Sequence, residues 1–217
     1  MRVRYNTTSL DFYRPDFQSV SREVLEMGMK ETIAVINQME GDGIVGRYAI
    51  GGAVAAFNYI EVSFTEDLDI LVSFEDQVQA KATGLVTLGP ILKYLAEKGF
   101  TEFRKEGVVV SGWPVQFLPV AKPLDEEGLR EAITTELRVS SETTIQCRIL
   151  RAEHLVATAL DVGRPKDYAR IVQFVEAGNF DPVYLRGVLE RHNLAAKWQS
   201  FCDRFEIANP CIDGSKP

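Results

Sequence analysis

The chain reads RYAIGGAVAAFNYI over residues 47–60 and DLDILV over residues 67–72. The first stretch predicts a short apolar strand, a turn at Gly51 and Gly52, and a helix. Such a turn lets backbone N–H groups and a helix N-terminus face an anion, although a tight turn without a ligand is the commoner use of glycine. The second stretch predicts a buried strand, so the two together predict a strand, a glycine turn, a helix and a strand in succession.

Two carboxylates stand at the beginning of the second stretch. Asp67 and Asp69 are two residues apart, and the alternation of side chains along a strand puts both on one face. Carboxylates side by side suit Mg²⁺ or Mn²⁺, and Mg²⁺ shares its ligand shell with substrate phosphates. Thr65 stands where it can cap or orient the preceding loop. A solvated strand end is the alternative interpretation, but the upstream glycines favour a metal-dependent nucleotide site.

The order of these motifs resembles the nucleotidyltransferases of the DNA polymerase β-like superfamily, which carry Gly-Gly or Gly-Ser, a helix, and Asp-x-Asp on the next strand. Within that superfamily the chain looks like the AbiEii-type and related bacterial branches. A second segment, residues 151–168, is similar to the helix, Arg-x-Lys-Asp and helix signature of those proteins. The resemblance covers residues 17–192.

The resemblance implies an α/β (α+β) fold with a mixed-sheet nucleotidyltransferase core over residues 1–150, followed by a C-terminal helical region over residues 151–217. It also implies transfer of a nucleoside monophosphate from a nucleoside triphosphate, such as ATP, to a hydroxyl of tRNA or of a protein. The biological role would be that of a toxin with an antitoxin partner. The implied metal ligands and catalytic carboxylates are Asp67 and Asp69, and the implied nucleotide contacts in the core are Gly51, Gly52 and Thr65.

The second segment adds three candidate residues at the start of a helix. In the functional interpretation, Arg164 and Lys166 face the triphosphate, while Asp167 positions one of them or the acceptor and counts as catalytic. In the structural interpretation, Pro165 suits the first helical turn and Asp167 only caps it. The sequence leaves both open.

One position departs from the resemblance. Many members of the superfamily carry a third acidic residue on a later strand, where this chain has Gln116 in VQFLP. An amide cannot accept the proton of an attacking hydroxyl. Asp167 could serve instead, the enzyme could be slow, or the chain could be a catalytically silent nucleotide-binding or protein-interaction protein. A plain scaffold that binds no nucleotide is a further alternative.

Composition limits the remaining function classes. Hydrophobic residues make up 46% of the 217 residues, and no apolar run is long enough to span a bilayer. We therefore expect a globular protein with no membrane partner and, without a secretory signal pattern, a cytoplasmic location. The net charge of −7 disfavours strong nonspecific attraction to nucleic acid. Three widely spaced cysteines indicate neither a disulfide framework nor a zinc site.

The remaining pattern predicts the surroundings of the site. A first helix over residues 16–40 should cover the sheet, and another helix should run over residues 85–98. A hairpin is predicted around Lys105, Glu106 and Gly107, so the sheet should be mixed. Four helices from residue 152 onward should form a small bundle beside it.

Overall fold

The computed structural model describes residues 22–61, 65, 67–74, 88–138 and 144–213. Within these ranges the strands are β1 (Tyr48–Ile50), β2 (Leu68–Val72), β3 (Phe103–Arg104), β4 (Gly107–Val110), β5 (Trp113–Pro119), β6 (Ile133–Arg138) and β7 (Thr144–Ile149). The helices are α1 (Arg22–Gly41), α2 (Gly52–Ala56), α3 (Gly89–Glu97), α4 (Pro123–Arg130), α5 (Ala152–Val162), α6 (Pro165–Ala177), α7 (Pro182–Arg191), α8 (Ala195–Arg204) and α9 (Pro210–Asp213).

The described strands form one mixed sheet in the order β3-β4-β5-β2-β1-β7-β6. β2 is antiparallel to β1 and parallel to β5, and β1 is parallel to β7. Because β1 and β2 run in opposite directions, the end of β1 meets the beginning of β2, which brings the glycine turn to the two aspartates. The predicted α+β fold with a mixed sheet is confirmed.

Apolar side chains hold the centre of this sheet. All of β1 is buried, and Leu68 and Ile70 of β2 are fully buried, as the alternation along β2 requires. α1 covers the sheet with Ile33 and Ile36, which are also fully inaccessible to solvent or nearly so. Removal of this apolar surface from water is the main stabilising contribution to the fold.

The structure differs from the predicted elements in one helix end and one additional strand. The helix predicted from Gly52 to Ile60 ends at Ala56, because the N–H groups of Asn58 and Tyr59 bond three residues back and tighten the chain into a turn. The sequence pattern predicts no strand over residues 133–138, where the structure has β6 paired antiparallel with β7. Residues 16–21 and 85–87, which begin two predicted helices, lie outside the described residues.

The predicted hairpin and helical bundle are both present. β3 and β4 pair antiparallel on either side of Lys105 and Glu106. Helices α5 to α8 follow one another after the sheet, and their buried side chains belong to the same hydrophobic cluster as those of the strands. The division of the chain after residue 150 therefore stays a prediction. Across the described part of the chain, every helix is too short or too polar to cross a membrane.

Candidate active site

The glycine turn is in direct contact with Asp69. The N–H of Gly51 donates to the backbone carbonyl of Asp69 over 2.8 Å. Gly52 has a φ of +56°, and a Cβ atom there would lie 1.9 Å from Asp69 Oδ2. Only glycine combines this backbone conformation with room for the carboxylate. Gly52 therefore allows the Asp69 side chain to lie against the beginning of α2.

Asp67 lies one residue before β2, and Thr65 orients it. The Thr65 hydroxyl is within hydrogen-bonding distance of both Asp67 Oδ1, at 3.1 Å, and the Asp67 carbonyl oxygen, at 3.2 Å. The prediction that Thr65 orients this loop is confirmed, whereas its role as a nucleotide contact stays a prediction. The intervening Leu68 is fully buried, so Asp67 and Asp69 lie on the opposite face of the strand.

The environment of Asp69 combines burial with charges of both signs. Burial is the largest influence and raises the pKa of Asp69, and the neighbouring Asp67 raises this pKa further. The positive charges of Arg170, Lys166 and Arg164 act in the opposite direction. The two aspartates therefore repel each other, and the positive charges of α6 offset part of that repulsion.

Arg164 and Asp167 form a bidentate pair at the N-terminus of α6. Arg164 donates to Asp167 through Nε over 2.7 Å, through Nη2 over 3.1 Å and through its backbone N–H over 3.1 Å. Asp167 is 2% exposed, while 57% of the Arg164 side chain is exposed. Asp167 therefore caps α6, as the structural interpretation requires, while its catalytic role stays a prediction. The same contacts leave Asp167 able to hold the guanidinium of Arg164 in one orientation.

Arg170 is a member of the site that no sequence motif indicates. It lies four residues after Lys166 on α6, and residues at this spacing share a helix face. Its charge is the first of the positive charges acting on Asp69. The helical spacing from Lys166 is the signal that the sequence offers. It distinguishes Arg170 from an ordinary surface residue only once the structure shows that its charge acts on Asp69.

Gln116 lies where the sequence analysis placed the missing acidic residue. It is opposite Asp69 in the parallel pairing of β2 with β5. Its Nε2 donates to Glu106 Oε2 over 2.8 Å. Glu106 belongs to the turn between β3 and β4, and its proximity to the site follows from strand pairing, so no linear motif could reveal it.

The donor set suits a metal that the protein shares with a substrate. Among the described residues, no group of three or more histidine, cysteine, aspartate or glutamate side chains is arranged to hold a metal ion by itself. Asp67 and Asp69 offer two carboxylates, and Mg²⁺ commonly takes one or two protein carboxylates and completes its shell with water and substrate phosphates. The mutual repulsion of the aspartates is what a divalent cation would relieve.

A comparison with known protein families finds none that matches the chain, and a comparison with curated proteins finds no relative. Among solved structures, the chain is similar to the crystal structure of an antigenic nucleotidyltransferase-like protein from Paracoccidioides brasiliensis, at 13% sequence identity and a TM-score of 0.44. The match covers 87% of this chain and 98% of that chain. A likeness this distant carries no functional argument, so any assignment depends on the geometry of the site.

Proposed function

We propose that the chain is a cytoplasmic, Mg²⁺- or Mn²⁺-dependent nucleotidyltransferase that moves a nucleoside monophosphate from a nucleoside triphosphate to a hydroxyl acceptor. The observation that carries this proposal is that the Asp69 carboxylate lies against the Gly52 turn, on the same strand face as Asp67, where the positive charges of α6 act on it. A site for a metal ion and a triphosphate needs carboxylates that bind the metal and cations that bind the phosphates.

The cations are available for a ligand to different degrees. Arg164 is bound to Asp167, but more than half of its side chain is exposed. Lys166 is exposed and Arg170 half-buried, and neither has an ion pair with any described carboxylate. We assign all three to the triphosphate, with Asp167 as the residue that positions Arg164.

Gly52 and Gly51 take different roles in this proposal. The N–H of Gly51 is already bonded to Asp69, so we assign the phosphate contact to the backbone at Gly52. Gly52 also leaves space for the Asp69 carboxylate. Thr65 holds Asp67 from the other side, which fixes the orientation of the second metal ligand.

The transfer itself needs little covalent chemistry from the protein. A bound Mg²⁺ would polarise the α-phosphate and offset the charge of departing pyrophosphate. Asp67 and Asp69 would hold the metal ion, and Arg164, Lys166 and Arg170 would bind and orient the phosphates. Positioning and charge stabilisation of this kind account for most of the catalysis of phosphoryl-group transfer.

The acceptor is proposed from the family resemblance. Its hydroxyl would belong to tRNA or to a protein side chain, and the biological role would be that of a toxin with an antitoxin partner. The net charge of −7 favours a protein acceptor or a local contact with tRNA over extended nucleic-acid binding.

A catalytically silent nucleotide-binding protein is the second candidate. It is favoured by one observation, namely that Gln116 and not a carboxylate lies opposite Asp69 on β5. The two candidates agree on metal-dependent nucleotide binding and differ on the release of pyrophosphate.

The test uses ATP labelled at the α-phosphate, with total tRNA and the protein itself as acceptors. We expect Mg²⁺-dependent label transfer by the wild-type chain and none by an Asp67→Asn, Asp69→Asn double variant. Glu97→Gln, a change at the exposed end of α3, is the control for loss of a carboxylate elsewhere. Nucleotide binding without label transfer would favour the catalytically silent protein over the enzyme. Label transfer by the double variant would refute the assignment of Asp67 and Asp69 to the active site.

A further inference from the structure

A small cavity lies beside Asp67, between the beginning of β2 and the β3–β4 hairpin. Its volume is about 170 Å³, and its lining includes Asp67, Glu106, Gln116 and Arg104. Pockets that enclose a whole small molecule usually measure about 300–1,000 Å³. This cavity therefore suits the hydroxyl-bearing end of an acceptor and is too small for a nucleotide.

Gln116 connects Glu106 to the strand that carries Asp69. Gln116 is opposite Asp69 across the β2–β5 pairing, so the two side chains emerge on the same face of the sheet. The amide of Gln116 then donates to Glu106 over 2.8 Å. Glu106 is exposed, so a substrate can reach its carboxylate.

The backbone of the hairpin sets the position of Glu106. Lys105, the preceding residue, has a φ of +54°, which turns the chain sharply between β3 and β4. A Cβ atom at Gly107 would lie 2.9 Å from the backbone oxygen of Val115, so only glycine lets β4 approach β5 this closely. The two residues flanking Glu106 thus bring its carboxylate to Gln116.

We propose that Glu106 is the general base of the transfer reaction and that Gln116 is the residue that positions it. This inference rests on the proposed function. Glu106 accepts the proton of the acceptor hydroxyl as the hydroxyl oxygen forms its bond to the α-phosphorus. The bond from the α-phosphorus to the bridging oxygen breaks, and pyrophosphate leaves with the electron pair. Glu106 of the β3–β4 hairpin thus supplies the carboxylate that β5 lacks at Gln116.

The test compares four variants by two measurements made on the same preparations. One is the dissociation constant of Mg²⁺-ATP, and the other is the single-turnover rate of α-phosphate label transfer to total tRNA and to the protein. The variants are Glu106→Gln, Gln116→Ala, the exchanged pair Glu106→Gln with Gln116→Glu, and Glu102→Gln. The last removes an exposed carboxylate that does not line the cavity but pairs over 3.2 Å with Arg104, which does. It is therefore the matched control for the loss of a carboxylate that contacts the cavity lining without being the base.

We expect Glu106→Gln to slow transfer by about a hundredfold or more, which is the usual contribution of a general base, while nucleotide affinity stays within about threefold. An amide at position 106 still accepts the bond from Gln116, so a merely structural role would survive this change. Gln116→Ala should cost about tenfold in rate through looser positioning. The exchanged pair returns a carboxylate to the cavity and should recover at least about tenfold of the lost rate. Glu102→Gln should match wild type.

The results that overturn the inference are separable from those that overturn the proposed function. If Glu106→Gln transfers label at the wild-type rate while the Asp67→Asn, Asp69→Asn double variant transfers none, the base assignment is wrong and the proposed transferase function is supported. If Glu106→Gln loses nucleotide binding as well, Glu106 has a binding role and the assignment is also wrong. If the wild-type chain transfers no label, the proposed transferase function and the assignment of Glu106 as its base are both refuted.

Discussion

Replacement of Gly52 by alanine should disable the site by displacing Asp69. The new Cβ would lie 1.9 Å from Asp69 Oδ2, and ordinary contact begins at 3.4 Å, so the carboxylate must move away. The positive φ of +56° adds a backbone cost of about 1–2 kcal/mol for a residue with a side chain. Gly52→Ala therefore combines a modest loss of stability with a misplaced metal ligand.

The expected size of the effect on function follows from that displacement. A shift of about 1 Å in a positioned group can cost about a hundredfold in activity, and the carboxylate here must move further than that. We expect transfer of the α-phosphate label to slow by about a hundredfold, and Mg²⁺-dependent ATP binding, measured by titration calorimetry, to weaken. Urea denaturation of the same preparations gives the loss in free energy of unfolding.

Gly43→Ala is the matched control for this experiment. Gly43 also has a positive φ, of +70°, but a Cβ there would meet no described atom within 4 Å. It should therefore show the backbone cost alone, with ATP binding unchanged. If Gly52→Ala and Gly43→Ala bind Mg²⁺-ATP equally well, the proposed link between Gly52, Asp69 and the metal is refuted.

Two further predictions concern the same site, and a third concerns the ion pairs of Glu127 elsewhere in the fold. Gly51→Ala should leave ATP affinity within about threefold by calorimetry, because its Cβ would make ordinary 3.6 Å contacts and its φ is negative. Asp167→Asn should weaken ATP binding by about tenfold, because an amide holds the guanidinium of Arg164 less firmly than a carboxylate does; unchanged affinity would leave Asp167 as a helix cap only. Hydrogen bonds from Arg191 and two histidines lower the pKa of Glu127 from about 4.5 to about 2. Stability from this carboxylate is therefore fully present above about pH 4.5 and lost as pH falls toward 2, and urea melts of Glu127→Gln should lack that part of the acid dependence.

The elements that sequence predicts well are those whose signal is local. The glycine turn, Asp67 and Asp69 lie within one strand–helix–strand unit, so spacing alone indicates that they meet. The cap formed by Arg164 and Asp167 is local too, since the two residues are three apart in the chain.

The parts that sequence misses depend on strand order. Gln116 reaches Glu106 because β4 and β5 form a tight hairpin, which is local in the sequence. The position of both residues beside Asp69 depends on the pairing of β5 with β2, which are far apart in the sequence. β6 was missed for a related reason. It lies at the edge of the sheet, where Ile133 and Leu137 alternate with more exposed residues, and its weak pattern follows directly after α4.

The difference between Gly51 and Gly52 also required the structure. Both glycines belong to the same motif, and their sequence positions give them equal weight. The structure gives Gly51 an extended conformation and Gly52 a left-handed one, with the Asp69 carboxylate where a side chain at Gly52 would lie. The conformational freedom of glycine is therefore required at Gly52 and is dispensable at Gly51.

The most direct test of the central claim is the Mg²⁺ dependence of ATP binding in wild-type protein and in Asp69→Asn, measured by calorimetry at neutral pH. If Asp69 holds a metal that the triphosphate shares, wild type binds ATP with Mg²⁺ and loses affinity when the metal is chelated, while Asp69→Asn binds weakly in both conditions. ATP binding that ignores the metal, or that Asp69→Asn retains in full, would contradict the account.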